Sequence, residues 1–347
     1  MTPTPTPTPS SPHRGHLVRL ADLPDERLED VLELARRYRA GAQRRELEGR
    51  SVGLLFFRQS LRTRTSFEVA LNQLGGHAVQ LSVGSDFWEL EARQGGVMDG
   101  TAPEHVRDAA AVLSNYVDAL AIRPAVRGQS WEVDRRDDSI RTWAEHATVP
   151  VINMESALWH PLQGLADLMT LRDALGDVRG RELAIVWTPS PAPQGPAVVH
   201  TVLHAALRSG MRVRLAHPAG YDLDPGVLDD ARTLAAQRGG ALDIVRDPKD
   251  AAQGAHVVYA RSWSSLASYG QPTLAASRAA TGRGWLVDEA LMRLGADARL
   301  MHPMPVRRNL EVTDEVLDGP RSLMYRQAEN RLHTQKGLLT LLLRDPQ

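Results

Sequence analysis

Two arginines alternate with hydroxyl-bearing residues in the stretch SLRTR at residues 60–64, directly after an apolar run. We predict that this run, 51–57, is a buried strand and that a helix follows at 65–74. A helix N-terminus binds anions through free N–H groups and its dipole, and Arg62 and Arg64 add planar donors that match phosphate. The available hydroxyl groups belong to Ser60, Thr63, Thr65 and Ser66. We expect a strongly anionic group here; the alternative is a capped helix with solvated arginines.

Polar side chains also follow two later apolar runs, which end at Arg123 and at Glu155. His160 and Gln163 then open a helix three residues apart, so they share a face and can touch one small ligand. An imidazole can polarise a carbonyl oxygen, and an amide oxygen can accept a hydrogen bond from an NH₂ group. The alternative for His160 is a structural helix cap.

The stretch HPMPVRR at 302–308 forms a fourth polar group, in which Pro303 and Pro305 lie between His302 and the pair Arg307 and Arg308. The sequence contains no cluster with metal-ligand spacing and no glycine-rich nucleotide motif. We therefore expect no metal and no cofactor.

Short apolar runs alternate with helix-length amphipathic stretches along most of the chain. The predicted strands are 51–57, 77–83, 117–123, 149–155, 182–188, 212–217, 242–245, 256–260, 285–288 and 300–304, and helices between them include 103–116, 161–175, 196–208 and 227–237. This alternation predicts βαβ units and mostly parallel sheets. Ligands bind beyond the carboxyl ends of strands in such sheets, where the polar residues lie.

The length of 347 residues suggests two domains at about 150 residues each. We predict an α/β fold of two doubly wound parallel-sheet domains linked by helices, with the C-terminal helix, 327–343, packing back on the first domain. The expected division is a disordered Thr-Pro tail at 1–14, a first domain at 15–155 plus 322–347, and a second domain at 156–321.

The composition gives no sign of a membrane or nucleic-acid partner. The formal net charge is −1, and no apolar stretch approaches the roughly 18 residues of a membrane span. The chain has no cysteine, which excludes disulfides, and its N-terminus lacks the apolar core of a signal peptide. These features favour a cytoplasmic location.

Together the four polar groups resemble the carbamoyltransferase family. SLRTR at 60–64 is similar to the family's SxRTR carbamoyl-phosphate motif, HPLQGLAD at 160–167 to its HPxQxLAD motif, and HPMPVRR at 302–308 to its HCLP or HPLP loop. The order and spacing of these motifs match from about residue 17 to residue 343. The resemblance implies transfer of a carbamoyl group from carbamoyl phosphate to an amine.

The closest resemblance is to members that act on Nα-acylated ornithine, and it rests on four stretches: SDFWELE at 85–91, VMDGTAPEH at 97–105, ARSWSS at 260–265 and AENRLHTQK at 328–336. Free-ornithine enzymes carry a DxxxSMG motif whose Asp meets the α-ammonium, and no such Asp occurs here. An acylated nitrogen is neutral and needs no carboxylate partner.

Two positions bear on the identity of the acyl group. In the resembling enzymes, the position of Pro103 is typically Glu in acetyl-specific members, whereas succinyl-specific members have Pro there. The position of Glu311 is commonly Lys in the acetyl type and Glu in the succinyl type. A glutamate would repel a succinyl carboxylate, whereas proline adds no charge. Both positions favour N-succinyl-L-ornithine over N-acetyl-L-ornithine, as a step in arginine biosynthesis.

The resemblance also implies roles for individual residues. The expected catalytic residues are Arg123, His160, Gln163 and Arg331. Carbamoyl phosphate is expected to contact these four together with Ser60, Leu61, Arg62, Thr63, Arg64, Trp88, Pro303 and Met304. The acylated ornithine is expected to contact Pro103, Glu155, Arg261, His302, Met304 and Glu311. In the resembling enzymes the loop of Trp88 completes a neighbour's site, so we expect a homotrimer.

Two departures from the family pattern keep alternatives open. Pro303 stands where ornithine enzymes usually have Cys, and Arg261 stands where a Lys is usual. The alternatives are a carbamoyltransferase for free ornithine or aspartate, and a non-catalytic protein that binds carbamoyl phosphate.

Overall fold

The protein is described by a computed structural model that covers residues 15–42, 44–93, 95–271 and 284–344. The predicted tail at 1–14 lies outside these residues. Within them the strands are β1 (Ser51–Phe56), β2 (His77–Ser82), β3 (Leu90–Glu91), β4 (Glu104–His105), β5 (Ala119–Arg123), β6 (Val151–Asn153), β7 (Glu182–Trp187), β8 (Arg212–Ala216), β9 (Ala241–Val245), β10 (Val257–Arg261) and β11 (Arg299–Met301).

The helices run between these strands and along both faces of the sheets. In the described residues they are α1 (Asp25–Arg39), α2 (Arg62–Gln73), α3 (Val106–Leu113), α4 (Trp131–Asp134), α5 (Asp138–His146), α6 (Pro161–Leu175), α7 (Ala197–Arg208), α8 (Pro225–Arg238), α9 (Pro248–Ala252), α10 (Glu289–Met292), α11 (Asp314–Asp318) and α12 (Met324–Leu343). None of them combines the length and apolar character that a membrane crossing requires.

Two parallel sheets confirm the predicted fold class. The first has the order β2-β1-β5-β6 and the second the order β11-β10-β7-β8-β9, with every adjacent pair parallel. In the first sheet the chain leaves β1 in one direction to β2 and later returns on the other side to β5. Phe56 and Arg123 are register partners at the carboxyl end of this pair. A switch of this kind opens a crevice beyond the strand ends, where α/β proteins bind ligands.

The C-terminal helix packs back on the first half of the chain, as predicted. Helix α12 packs against α1, α6 and α2. Tyr38 on α1 and Thr340 on α12 share a hydrogen bond of 2.8 Å. A Cβ atom at Gly337 would lie 2.5 Å from the carbonyl oxygen of Val31, so the close approach of these helices requires glycine there.

Helix α6 joins the two halves, and its side chains are buried almost throughout. Leu165 and Leu168 belong to the core of the first half, and Leu171 belongs to the core of the second. The chain therefore passes between its two halves on a helix that both cores hold. The exact division at residues 155 and 156 stays a prediction.

Several predicted bounds differ from the structure, and three of the differences change the type of an element or move a predicted site residue. Residues 285–288 are not a strand, because Val287 bridges only to Val312 in a neighbouring loop. The stretch 103–116 begins with β4 before α3 starts, and His105 caps α3 by accepting from the backbone of Arg107. Helix α2 begins at Arg62 rather than near Thr65, which places both arginines in its first turn.

Candidate active site

A cavity of about 410 Å³ lies beside the first turn of α2, the first turn of α6, the loop after β11 and the N-terminal half of α12. Its lining residues are Leu61, Arg62, Thr65, Ser66, Val69, Gln163, His302, Pro303, Met304, Gln327, Ala328, Arg331 and Leu332. Residues from the motifs at 60–64, 160–167 and 302–308 therefore surround one space, although more than 200 residues of sequence separate the first motif from the last.

Arg62 is one of the cations that line this cavity. Within the described part of the chain no hydrogen bond or ion pair holds its side chain, whereas burial and the charges of Arg261 and Arg123 lower its pKa. The N-terminus of α2 adds unpaired N–H groups beside it. Positive charge without a counter-ion at a helix N-terminus favours an anion such as phosphate.

Arg64 points away from the cavity, contrary to the prediction that both arginines face one anion. Its guanidinium donates to Gln80 Oε1 at 2.9 Å and to Ser82 on β2, and it lies 4.3 Å from the ring centroid of Phe56. Because helix α2 begins at Arg62, Arg64 falls two positions on and faces the sheet edge. Ser60, also predicted to contact the anion, precedes the helix and is not among the lining residues.

Arg123 and Glu155 form an ion pair of 2.5 Å just beyond the ends of β5 and β6, each side chain 16% exposed. Burial alone raises the pKa of Glu155, but the charges of Arg123 and other nearby cations outweigh it and bring that pKa to about 2. The backbone of Glu155 has a φ of 155°, which residues other than glycine rarely adopt. Arg58 donates to the backbone oxygen of Glu155 at 2.7 Å. The pair is thus fixed and ionised beside the cavity.

Arg331 contacts two of the other predicted catalytic residues, Gln163 and His160. It donates from Nη1 to Gln163 Oε1 at 2.8 Å and from Nη2 to Thr63 Oγ1 at 2.9 Å, and Nη1 lies 3.5 Å from His160 Nε2. Burial lowers the pKa of Arg331 to about 10, so the guanidinium keeps its charge at neutral pH. One side chain from α12 therefore ties the first turns of α2 and α6 together.

His160 is the N-cap of α6 and only 4% exposed. Burial and the charge of Arg331 hold the pKa of His160 well below its ordinary value, so the ring is neutral at physiological pH. Its Nδ1 atom has no hydrogen-bond partner among the described residues. A neutral imidazole has one N–H donor, which suits a carbonyl oxygen on which negative charge develops.

The loop after β11 presents main-chain oxygen to the same region. The carbonyl oxygen of Pro303 accepts from Arg261 Nη1 at 3.4 Å and lies 2.8 Å from His302 Nδ1. Glu311 lies behind this loop rather than in the cavity lining: it is 3% exposed and its Oε2 atom is 3.0 Å from His302 Nε2. Its contact with the site therefore passes through His302. Arg308 also faces away, paired with Asp314 and Asp318.

Trp88 and Pro103 are not brought to this chain's cavity. Trp88 is 55% exposed and donates from Nε1 to Glu104 Oε2 at 3.0 Å. Pro103 is exposed and adjoins β4, which pairs with β3. The two residues therefore lie close together on one exposed unit outside the cavity lining.

Sequence reasoning missed Asp167 and Gln327. Gln327 lines the cavity, and Asp167 is fully buried behind it. Asp167 lay within the motif HPLQGLAD, which was the available signal, but no role followed from its type alone. Gln327 carries no local signal, since only folding brings α12 to α6. The described residues contain no group of three or more His, Cys, Asp or Glu side chains placed to hold a metal.

Comparison with known proteins agrees with this geometry. Residues 15–173 match the family model "Aspartate/ornithine carbamoyltransferase, carbamoyl-P binding domain", and residues 181–342 match its "Asp/Orn binding domain". The chain belongs to the aspartate/ornithine carbamoyltransferase family. This carbamoyltransferase thus has both domains of the family, and the prediction that the chain is a carbamoyltransferase is confirmed.

Similar proteins differ in their acceptors. The chain is 38% identical to the N-acetylornithine carbamoyltransferase of Xanthomonas campestris pv. campestris, over 94% of this chain and 97% of the relative. It is 41% identical to the ornithine carbamoyltransferase of a Parafrankia species, over 91% and 90%. A solved glutamate-to-proline variant of N-acetyl-L-ornithine transcarbamylase, complexed with carbamyl phosphate and N-succinyl-L-norvaline, is 39% identical with a TM-score of 0.91, over 94% of this chain and 99% of that one.

Proposed function

We propose that this carbamoyltransferase moves the carbamoyl group of carbamoyl phosphate to the δ-amine of an Nα-acylated L-ornithine, releasing phosphate. The observation that carries the proposal is the guanidinium of Arg62, which has no partner among the described residues and lies at a helix N-terminus, in one cavity with Gln163 and Arg331. The phosphate dianion of carbamoyl phosphate matches the free charge of Arg62. Its carbonyl group matches the fixed, preorganised donors beside that charge.

The phosphate is held by Arg62 and the N–H groups of the first turn of α2. Arg123, His160 and Arg331 surround the carbamoyl oxygen, where negative charge develops when the amine attacks. Such donors typically contribute about 3 kcal/mol each to the transition state. Gln163 Oε1 and the carbonyl oxygen of Pro303 accept from the carbamoyl NH₂ group.

The reaction forms one C–N bond and breaks one C–O bond. The unprotonated δ-nitrogen attacks the carbamoyl carbon, and the bond from that carbon to the bridging oxygen of phosphate breaks. The nitrogen then loses a proton, which the departing phosphate group takes up on its former bridging oxygen, so that it leaves as HPO₄²⁻. An amine of this type has a pKa near ~10.4 in water, so the acceptor must lose its first proton before attack.

The segment after β10 supports an acylated acceptor. Its residues, ARSWSS at 260–265, contain no carboxylate to meet an α-ammonium. Arg261 is 4% exposed there and would repel a second positive charge. An amide nitrogen, being neutral, avoids this repulsion.

The succinyl group is the favoured acyl group and the acetyl group is the next candidate. Proline at position 103 is typical of the succinyl-specific enzymes that the chain resembles. The glutamate-to-proline variant of the acetyl enzyme, solved with N-succinyl-L-norvaline, is consistent with this reading. Glutamate at position 311 also favours the succinyl group by the same resemblance. Its carboxylate contacts His302, which lines the cavity.

A homotrimer completes the proposed site. Trp88 and Pro103 are exposed and lie outside their own chain's cavity, so they are free to reach a neighbouring copy. In this arrangement Trp88 closes the phosphate end and Pro103 faces the acyl group. We place the reaction in arginine biosynthesis in the cytoplasm, where carbamoyl phosphate and ornithine derivatives meet.

The test is turnover with four acceptors: N-succinylornithine, N-acetylornithine, free ornithine and aspartate, each with carbamoyl phosphate. We expect the highest kcat/KM with N-succinylornithine, a lower value with N-acetylornithine and little product with the other two. Equal kcat/KM for free ornithine would contradict the acylated acceptor. Binding of carbamoyl phosphate without product from any acceptor would contradict the proposal as a whole.

A further inference from the structure

Asp167 is a fully buried carboxylate that receives three side-chain hydrogen bonds. Its Oδ1 atom accepts from Gln163 Nε2 at 2.8 Å and from Gln327 Nε2 at 2.7 Å, and its Oδ2 atom accepts from Tyr259 at 3.0 Å. These donors come from α6, α12 and β10. Asp167 lies behind the two glutamines, both of which line the cavity, and is not itself a lining residue.

The surroundings of Gln163 allow one orientation of its amide. An ionised carboxylate only accepts hydrogen bonds, so Nε2 must face Asp167. A guanidinium only donates, so Oε1 must face Arg331. An amide turned the other way would place Oε1 against the carboxylate and Nε2 against the guanidinium. Gln163 is therefore held as an acceptor, and the second lone pair of Oε1 remains for a donor in the cavity.

The same logic fixes Gln327. Its Nε2 atom faces Asp167, and its Oε1 atom accepts from the backbone N–H of His302 at 3.0 Å. That N–H begins the loop that contains Pro303, a lining residue of the cavity. One carboxylate thus determines the direction of two amides and, through Gln327, the position of the loop.

We propose that Asp167 is a positioning residue that makes the site selective for a carbamoyl group over an acetyl group of the same shape. It acts by holding Gln163 Oε1 toward the NH₂ group of the ligand. The proposal rests on the proposed function, in which Gln163 contacts that NH₂ group. A methyl group in the same place cannot donate and leaves an acceptor unpaired, which costs the acetyl ligand affinity.

The experiment compares two stable phosphonates by calorimetry. Phosphonoacetamide keeps the NH₂ group, and acetonylphosphonate has a methyl group in its place. We expect the wild-type protein to bind phosphonoacetamide at least about tenfold more tightly, the value of one hydrogen bond to a charged network. Asp167→Asn, whose side chain can also donate, should reduce this ratio to about twofold, chiefly by weakening phosphonoacetamide binding.

A double-mutant cycle separates this proposal from the one on which it rests. Gln163→Ala should reduce the ratio to about twofold, with the remainder due to the Pro303 carbonyl, and Asp167→Asn in that background should change the ratio no further. An unchanged ratio in Gln163→Ala would contradict the proposed role of Gln163. If the affinity ratio falls in Gln163→Ala but is unchanged in Asp167→Asn, only the role of Asp167 is overturned. Additive effects in the double mutant would have the same consequence.

Asp224→Asn is the matched control, since Asp224 is also a buried carboxylate and accepts from Trp131 and Arg135 rather than from a glutamine. The ratio of the two phosphonate affinities in this variant should stay at the wild-type value. A lower ratio would show that loss of a buried carboxylate away from Gln163 has the same effect, and this would overturn the proposal.

A further test uses the wild-type protein and does not depend on whether a variant folds. Burial raises the pKa of Asp167 to about 6, and protonation would give it a donor. The titratable groups that face it, Tyr259 and Arg331, keep their protons throughout the acidic range. The ratio of the two phosphonate affinities should fall as the pH is lowered through about 6. A constant ratio between pH 5 and pH 8 would contradict the proposal.

Discussion

The Nη1 atom of Arg331 lies 2.8 Å from Oε1 of Gln163, across a separation of 168 residues in the chain. This contact joins the last helix to the helix that links the two halves, and Nη2 of the same guanidinium reaches Thr63 on α2. The carbamoyl-phosphate end of the site is therefore assembled from three helices, and Arg331 is the shared element.

Replacement of Arg331 by Met should lower kcat/KM by at least about 100-fold, because it removes a charge beside the developing oxyanion and frees the Gln163 amide. The measurement is steady-state turnover with N-succinylornithine. Arg326→Met is the control on the same helix, since Arg326 is about half exposed and, among the residues that the structure describes, pairs only with Glu329. Equal losses in both variants would point to a general effect on the helix.

Trp88→Ala should lose most activity while retaining its thermal unfolding midpoint, because an exposed side chain contributes little to the fold. Sharing of sites between copies can be tested by mixing. Trp88→Ala and Arg62→Gln proteins, dissociated and reassembled together, should recover activity, since some sites then receive an intact Arg62 and an intact neighbouring Trp88. No recovery, with mixed trimers demonstrated by mass, would contradict a shared site.

Pro103→Glu should shift acceptor preference from N-succinylornithine toward N-acetylornithine, because a carboxylate repels the succinyl group but not the acetyl group. We expect the ratio of the two kcat/KM values to change by at least about tenfold. Pro103→Gln, of similar size without charge, is the control for bulk. If both variants kept the wild-type ratio, Pro103 would not face the acyl group.

The stability of the protein should depend on pH through Asp167. Burial raises the pKa of this carboxyl from 3.8 to about 6 in the folded state. The protonated carboxyl therefore contributes its full stabilisation when the pH is below the unfolded-state pKa, and this contribution is lost as the pH rises through about 6. Relative to Asp167→Asn, the free energy of unfolding of the wild-type protein should decrease by about 3 kcal/mol between pH 3.5 and pH 6.5. Denaturant titrations at constant protein concentration measure this, and a rise over the same range would contradict the assignment.

The sequence predicted the parts of the site that follow strands, for a physical reason. A buried parallel strand is a continuous apolar run, so its end can be read from the chain, and Arg62, Arg123 and Glu155 were placed in this way. The direction of a side chain in the next helical turn depends on where the helix starts, and this start was misplaced by about three residues. Arg64 was accordingly predicted to face the anion, whereas it faces β2.

Local sequence patterns could not predict contacts between elements that are far apart in the chain. Asp167 and Gln327 meet because α12 returns to α6, and a buried carboxylate between two amides leaves no periodic trace in the sequence. Residues 285–288 read as a strand because they are apolar, yet Val287 finds its partner in a loop. Such tertiary pairing decides the outcome of short apolar runs.

The binding of phosphonoacetamide to Arg62→Gln and Arg64→Gln tests the central claim most directly, since the two arginines share one helical turn and only Arg62 faces the cavity. We predict that Arg62→Gln weakens binding by about 100-fold and Arg64→Gln by less than about fivefold, with both proteins folded. Wild-type affinity in Arg62→Gln, or a larger loss in Arg64→Gln, would contradict the account.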